Sequence, residues 1–225
     1  MIKQRIIDFI FPPKCMFCGD VVAVNEQCTD CRKKAEFYKI PKTNRQINSK
    51  NFKKLDRCIS FYRYEDMIRD SIICAKFENC CAFVAEFISY MDFDFTEFVA
   101  ANDIDEFISM PYHKSKLYDF EYDLPQEMAC QIAKTYGLGY NKNLIIKIKK
   151  TKNQHNLSLI QRKENLKGAF ALNDEVKGKN ILVIDDIVST GFSLEEVAST
   201  LKKGGAAKVI AVTFAYNSKN QKEGK

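Results

Sequence analysis

Two groups of residues in this 225-residue chain have the types and the spacing to do chemistry. The first is a set of four cysteines, Cys15-Met-Phe-Cys18 and Cys28-Thr-Asp-Cys31, forming two C-x-x-C pairs with nine residues between them. Such pairs are how two short knuckles present four thiolates to one tetrahedral zinc ion. Gly19, directly after the first pair, suits the tight turn that aims backbone amides at the sulfurs. The competing readings are reduced core cysteines, against which two C-x-x-C pairs within 17 residues rarely arise by chance, and a redox-active dithiol, which needs a βαβ setting that the flanking sequence does not supply. Four protein ligands leave no open coordination position, so the metal is expected to be structural, folding a segment too small for its own core. The other five of the nine cysteines, Cys58, Cys74, Cys80, Cys81 and Cys130, show no such pairing and read as reduced, buried small hydrophobes.

The second group is the run Asn180-Ile-Leu-Val-Ile-Asp185-Asp186-Ile187-Val188-Ser189-Thr190-Gly191-Phe192-Ser193. An apolar strand here delivers two adjacent carboxylates to its carboxyl end, where ligands sit in open α/β sheets. A loop containing hydroxyls and a glycine then enters a helix, whose start the pair Ser193 and Glu196 would set as a capping box and whose end Gly204-Gly205 marks. Backbone amides of the loop, with the Thr190 and Ser193 hydroxyls, can cradle a phosphate dianion. The two carboxylates would repel that phosphate, so they are expected to serve something else, either the vicinal hydroxyls of a ribose or a magnesium ion. A sugar phosphate satisfies both halves.

Other readings of two acids after an apolar strand fit less well. A Walker B strand has the same look, but no G-x-x-x-x-G-K-[ST] occurs. A dinucleotide fold needs G-x-G-x-x-G after an early strand, and Gly137-Leu-Gly139 does not meet it. A receiver-type phosphoacceptor domain carries its acidic pair near its start, whereas this pair lies near the end. An acidic turn before a capped helix stays open as the plain structural alternative. His113 and His155, the only histidines, adjoin no serine or cysteine in a nucleophile motif, which leaves a hydrolase triad without support.

The elements that must position these groups follow from periodicity. Strands are expected at 58–64, at 104–110 ending in Pro111, at 144–148, at 181–184 and at 209–214. Helical spacing covers 67–91, 124–136 stopped by Gly137 and Gly139, and 194–203. Strands separated by helices predict a mostly parallel α/β sheet. The expected organisation is a four-cysteine module over 1–45, a linker over 46–54 with no hydrophobic periodicity, the α/β domain over 55–217, and a frayed tail over 218–225.

Composition sets the outer limits. Hydrophobic residues at 46% and charged residues at 28%, with 9 Gly and 5 Pro, match a packed globular protein. No run reaches the roughly 18 to 20 apolar residues of a membrane span, and Asp8 interrupts the short apolar start, so a soluble, cytoplasmic protein is expected. The net charge of +6 hides a segregation. Residues 1–60 carry thirteen Lys/Arg against six Asp/Glu, residues 65–127 four against fifteen, and residues 141–170 eight against one. Two basic segments around an acidic middle are compatible with polyanion binding, yet charge runs in a Lys-rich chain are mostly solvated surface.

At Val183 to Ser193 the chain resembles the phosphoribosyltransferases, whose signature is four apolar residues, two acids and a Thr-Gly loop. Two further features make it similar to the ComF family of competence-related proteins. One is the four-cysteine module; the other is Thr151-x-x-Gln154-x-x-Leu157-Ser158-x-x-x-Arg162-x-x-Asn165-x-x-Gly168-Ala169-Phe170. The resemblance runs from about Phe11 to Phe214. It implies a type I phosphoribosyltransferase fold that binds phosphoribosyl pyrophosphate with magnesium, Asp185 and Asp186 on the ribose hydroxyls and Ile187 to Ser193 around the 5′-phosphate. Gln154, Arg162 and Asn165 would organise the site or its rim, Arg162 being the best placed of them for an anion. If transfer occurs, the metal would neutralise departing pyrophosphate while the carboxylates stabilise an oxocarbenium-like sugar.

The chain also departs from the family. Where an Arg-Gly-Phe-Asn-Gln segment is usual, it reads Phe120-Glu-Tyr-Asp-Leu124, which removes an arginine and adds acids at Asp119, Glu121 and Asp123. Lys114 and Lys116 are the substitutes within reach in sequence. Three functions follow from the resemblance: a cytoplasmic DNA-uptake factor of natural transformation that handles single-stranded DNA and couples it to a competence helicase; an enzyme that transfers phosphoribose to an amine or base; and an interaction module that senses a sugar phosphate. His155, Asn156 and Lys152 fall in the same rim segment.

Overall fold

In the computed structural model the described residues are 12, 14–23, 28–77, 82–112, 123–151 and 158–218. A short amino-terminal segment carries helix α1 (Thr29–Glu36). A 3-10 turn at Lys42–Asn44 leads into strand β1 (Arg57–Arg63). There follow α2 (Asp66–Phe77), α3 (Ala82–Met91), α4 (Phe95–Ala101), β2 (Glu106–Ser109) and α5 (Leu124–Tyr136). The carboxyl half comprises β3 (Ile145–Lys147), α6 (Leu159–Leu166), β4 (Phe170–Leu172), β5 (Asn180–Val188), α7 (Phe192–Lys203) and β6 (Lys208–Tyr216).

Four strands form a parallel sheet in the order β1-β6-β5-β2, and β3 and β4 form a separate antiparallel ribbon. The long apolar runs of β5 and β6 are buried along almost their whole length, as strands covered on both faces must be. The alternation of side chains sorts them into two cores. Leu182, Ile184, Ile210, Val212, Phe214 and Phe107 join the core under α2, α3 and α5. Ile181, Val183, Val209, Ala211 and Ile108 join the one under α7 and the ribbon. The parallel α/β reading therefore holds; the strand expected at 144–148 forms as β3 but pairs antiparallel with β4 outside the main sheet, and β4, α4 and α6 are additions too short to carry a periodic signal.

Several boundaries move for identifiable reasons. The helical stretch expected over 67–91 is two helices, α2 and α3, with 78–81 outside the described residues. Helix α5 ends where expected, because Gly137 takes the left-handed conformation (φ 65°) that glycine adopts without steric cost. The stretch expected as a linker is tied to the fold: Ile47 N–H donates to the Cys58 carbonyl at 2.8 Å, and Ser60 N–H to the Arg45 carbonyl at 2.9 Å. It thereby runs along the free edge of β1, which would otherwise expose unpaired backbone groups. No helix among the described residues is long and apolar enough to cross a membrane.

Candidate functional site

The four cysteines converge. Their Sγ atoms all lie within 4.8 Å of one another, which accommodates the sulfur separation of about 3.8 Å that follows from tetrahedral zinc with bonds of about 2.3 Å. Cys15 and Cys18 form the expected knuckle. Cys15 N–H donates to the Asp20 carbonyl at 2.8 Å and Gly19 N–H to the Cys15 carbonyl at 2.9 Å. Phe17 N–H points at the Cys15 sulfur at 3.4 Å, and Gly19 has the positive φ of 76° that the turn requires. The second pair is built differently from the expected knuckle. Cys28 is the N-cap of α1 and Cys31 lies in its first turn, because Thr-Asp-Cys-Arg-Lys-Lys-Ala-Glu propagates as a helix. The module rests on the sheet domain through Met16, buried in the main core, a 3.0 Å bond from Met16 N–H to the Glu86 carboxylate, and an edge-to-face contact of Phe17 with Tyr90. Of the other cysteines, Cys58 is fully buried while Cys74 and Cys130 are half-buried; Cys80 and Cys81 lie outside the described residues.

The second site lies at the carboxyl end of β5. Asp185 and Asp186 are 8% and 4% exposed, and the Asp186 amide donates to Asp185 Oδ1 at 2.9 Å. Burial, then the neighbouring Asp186 carboxylate, pushes Asp185 well above the usual carboxylate range. A buried acid pair needs a counter-charge, and Lys76 provides it, with its Nζ 2.5 Å from Asp186 Oδ2. Burial works against the Lys76 charge, but the Asp186 and Asp185 carboxylates outweigh it and hold the ammonium above its ordinary value. A third carboxylate, at the start of α5, lies within electrostatic range of Asp186. Asp123, the N-cap that accepts from Gln126 N–H at 3.2 Å, is pushed up to about 6, first by burial and then by the Asp186 charge.

The loop that follows is shorter than expected. Ile187 and Val188 remain in β5, paired with Ala215 and Tyr216 of β6, so the turn proper is Ser189 to Gly191 and α7 begins at Phe192. Gly191, with φ 78°, is the N-cap and no side chain caps the helix. The expected capping box therefore does not form. Ser193 sits inside the first turn, and Glu196 instead accepts from Gly168 N–H at 2.8 Å. The strand turns into the helix so sharply that a left-handed residue takes the cap position, which the sequence supplies only as Gly191. The amides at the start of α7 have no carbonyl one turn back within the helix, and the Thr190 side chain is buried beside them.

Residues 49–55 strap this turn from outside. Asn51 Nδ2 donates to the Thr190 carbonyl at 2.8 Å. The Phe52 ring lies so close to Gly191 that a Cβ added there would meet Phe52 Cε1 at 2.3 Å. The amides of Lys53, Lys54 and Leu55 donate to the Glu195 carboxylate at 2.9, 2.9 and 3.2 Å.

Arg162 and Asn165 lie half-buried on α6, which packs beside α7. Gln154, His155, Asn156 and Lys152 lie outside the described residues, as do Leu157, His113, Lys114, Lys116, Asp119, Phe120 and Glu121. Lys76, the strap residues Asn51 and Phe52, and their partner Glu195 on α7 carried no sequence signal. Lys76 is one cation in an amphipathic helix, and the strap reads as a polar connection.

Residues 136–225 match the family described as the phosphoribosyl transferase domain, and residues 6–44 the double zinc ribbon domain. Residues 6–44 hold four cysteines and no histidine, enough for one tetrahedral ion. The DNA utilization protein YhgH of Salmonella typhi is 38% identical over 84 residues, covering 37% of this chain and 37% of that one. The protein of the same name from Escherichia coli (strain K12) is 30% identical over 106 residues, 47% and 46% of the two chains. Competence protein F of Haemophilus influenzae is 26% identical over 105 residues, 45% and 46%. The chain thus spans less than half the length of each of these relatives. Among solved structures, a purine phosphoribosyltransferase from Pyrococcus horikoshii superposes with a TM-score of 0.37 at 16% identity, over 60% of this chain and 82% of that one.

Proposed function

We propose that this chain, with matches to a double zinc ribbon and to a phosphoribosyl transferase domain, is of the ComF type and binds phosphoribosyl pyrophosphate with magnesium. We propose further that it acts on the cytoplasmic side in DNA uptake, handling single-stranded DNA beside a competence helicase. The observation that carries the sugar-phosphate part is the placement of two buried carboxylates directly before a left-handed turn and a helix start. Asp185 and Asp186 offer acceptors for the ribose 2′- and 3′-hydroxyls. The amides of α7, the helix dipole and the hydroxyls of Thr190 and Ser193 favour the 5′-phosphate. Asp185 and Asp186 are also the residues beside which a magnesium ion would lie; when bound it supplies positive charge to the pyrophosphate. The Lys76 ammonium at Asp186 offsets part of the pair's negative charge, so an anionic ligand meets less repulsion than two bare carboxylates would give.

Support for the nucleic-acid part comes from the surface and from the names of the relatives. Arg32, Lys33 and Lys34 are exposed on α1, next to Phe37, which is 74% exposed. Lys142, Lys149 and Lys150 are exposed around β3. Cations that track phosphates and rings that stack on bases are what sequence-tolerant single-strand binding needs. The test is calorimetric titration of phosphoribosyl pyrophosphate and magnesium with and without saturating single-stranded DNA. A coupled factor shows a changed sugar affinity in the presence of DNA and the reciprocal change in DNA affinity. Equal sugar affinity in both titrations would separate the two activities.

A further inference from the structure

We propose that Lys76 is a ligand-binding residue that selects the pyrophosphorylated sugar over ribose 5-phosphate. This rests on the reading of Asp185 and Asp186 as the ribose site. The last turn of α2 carries Lys76 to the carboxyl end of β5, where its ammonium lies 2.5 Å from Asp186 Oδ2. The two charges form an ion pair there, and the Lys76 side chain stays 33% exposed while that of Asp186 is 6% exposed. Lys76 is therefore the more open member of the ion pair, and an ammonium carries three N–H donors. In a ribose 1-pyrophosphate the anionic group hangs from the carbon next to the one bearing the 2′-hydroxyl. A diol seated on the acid pair puts the pyrophosphate oxygens beside whatever cation those carboxylates hold. In this chain that cation is already a side chain. Lys76 thus stands between a carboxylate and the pyrophosphate, a position otherwise left to a divalent ion, and it lies in a chain that lacks the arginine of the Phe120 to Leu124 segment.

Two consequences separate this role from a merely structural ion pair. Losing a charge-assisted hydrogen bond to the pyrophosphate weakens its binding by about 10- to 100-fold, whereas ribose 5-phosphate, which carries a neutral hydroxyl at that carbon in place of the pyrophosphate, changes by less than about threefold. Magnesium and Lys76 also share one task, so more magnesium is needed for half-maximal binding when Lys76 is removed. The experiment titrates phosphoribosyl pyrophosphate and ribose 5-phosphate, each across a magnesium series including chelator, into the zinc-loaded wild type and into Lys76→Met, Lys76→Gln and Lys76→Arg. The expected result is a selective loss for the pyrophosphate in Met and Gln, a raised magnesium requirement, and partial recovery in Arg. Equal losses for both ligands, or none, in whichever of the variants melts like the wild type would overturn the role of Lys76 and leave the ribose site standing. A wild type that binds neither ligand would overturn both.

Discussion

The zinc module draws its four ligands from one short segment, and its geometry is set by a knuckle and the first turn of a helix. The acid-pair site draws Lys76 from α2, Asp123 from α5, Asp185 and Asp186 from β5, and its clamp, Asn51 and Phe52, from the strap. One region is held by a metal it recruits, the other by the sheet that places it. Their difference predicts independent failure: loss of the ion melts a local unit, while loss of the fold's packing scatters the site. The strap is a second physical connection beside the Met16 and Phe17 contacts, since it follows the module and ends on Glu195 of α7.

The largest effect that would break or sharpen this contrast is metal removal. Replacing Cys15 and Cys18 by Ser releases one zinc per chain. It also removes the amide hydrogen-exchange protection of residues 14–23 and 28–40, because structural zinc supplies on the order of 10 kcal/mol to small modules. β5 and β6 keep their protection. Equal loss across the sheet would show that the two regions fold as one unit. A smaller effect is expected at Gly191→Ala, where a positive φ and the Phe52 ring both oppose a Cβ. Denaturant unfolding should show a loss of about 1–3 kcal/mol, and adding Phe52→Ala should recover the steric part while leaving the backbone part.

The smallest effect is a pH dependence. Asp123 is raised from 3.8 to about 6, so the folded state binds its proton more tightly than the unfolded chain does. Its contribution to stability is full below about pH 4 and declines as pH rises through the window up to about 6. Above that window it is ionised beside Asp186, among Glu127 and Lys142, and magnesium binding strengthens. Titrating magnesium between pH 5 and 7.5 shows that rise in wild type, and Asp123→Asn flattens it. An unchanged slope in the variant would remove Asp123 from the site.

How much of this was legible in sequence follows the same division. The zinc ligands were readable because coordination chemistry ties residue type to local spacing. Asp185 and Asp186 were readable because an apolar run ending in two acids is a local pattern as well, and Gly137 announced the end of α5 in the same way. Lys76 was hidden, since a lysine in an amphipathic helix has no local feature that says which carboxylate it meets. The strap was hidden for a related reason: Ser49 to Lys54 is polar and aperiodic, and its bonds are backbone amides to a distant Glu195. The capping box at Ser193 and Glu196 misled because a motif at the right spacing gives way when the strand-to-helix turn is sharp enough to demand Gly191 at the cap.

The most direct measurement is calorimetric titration of phosphoribosyl pyrophosphate with magnesium into the zinc-loaded protein and into a variant carrying Asp185→Asn and Asp186→Asn. One sugar bound per wild-type chain, lost in a variant with unchanged unfolding temperature and zinc content, is the predicted result. Equal binding by the two proteins, or none by the wild type, would contradict the assignment of the acid pair as a ribose site.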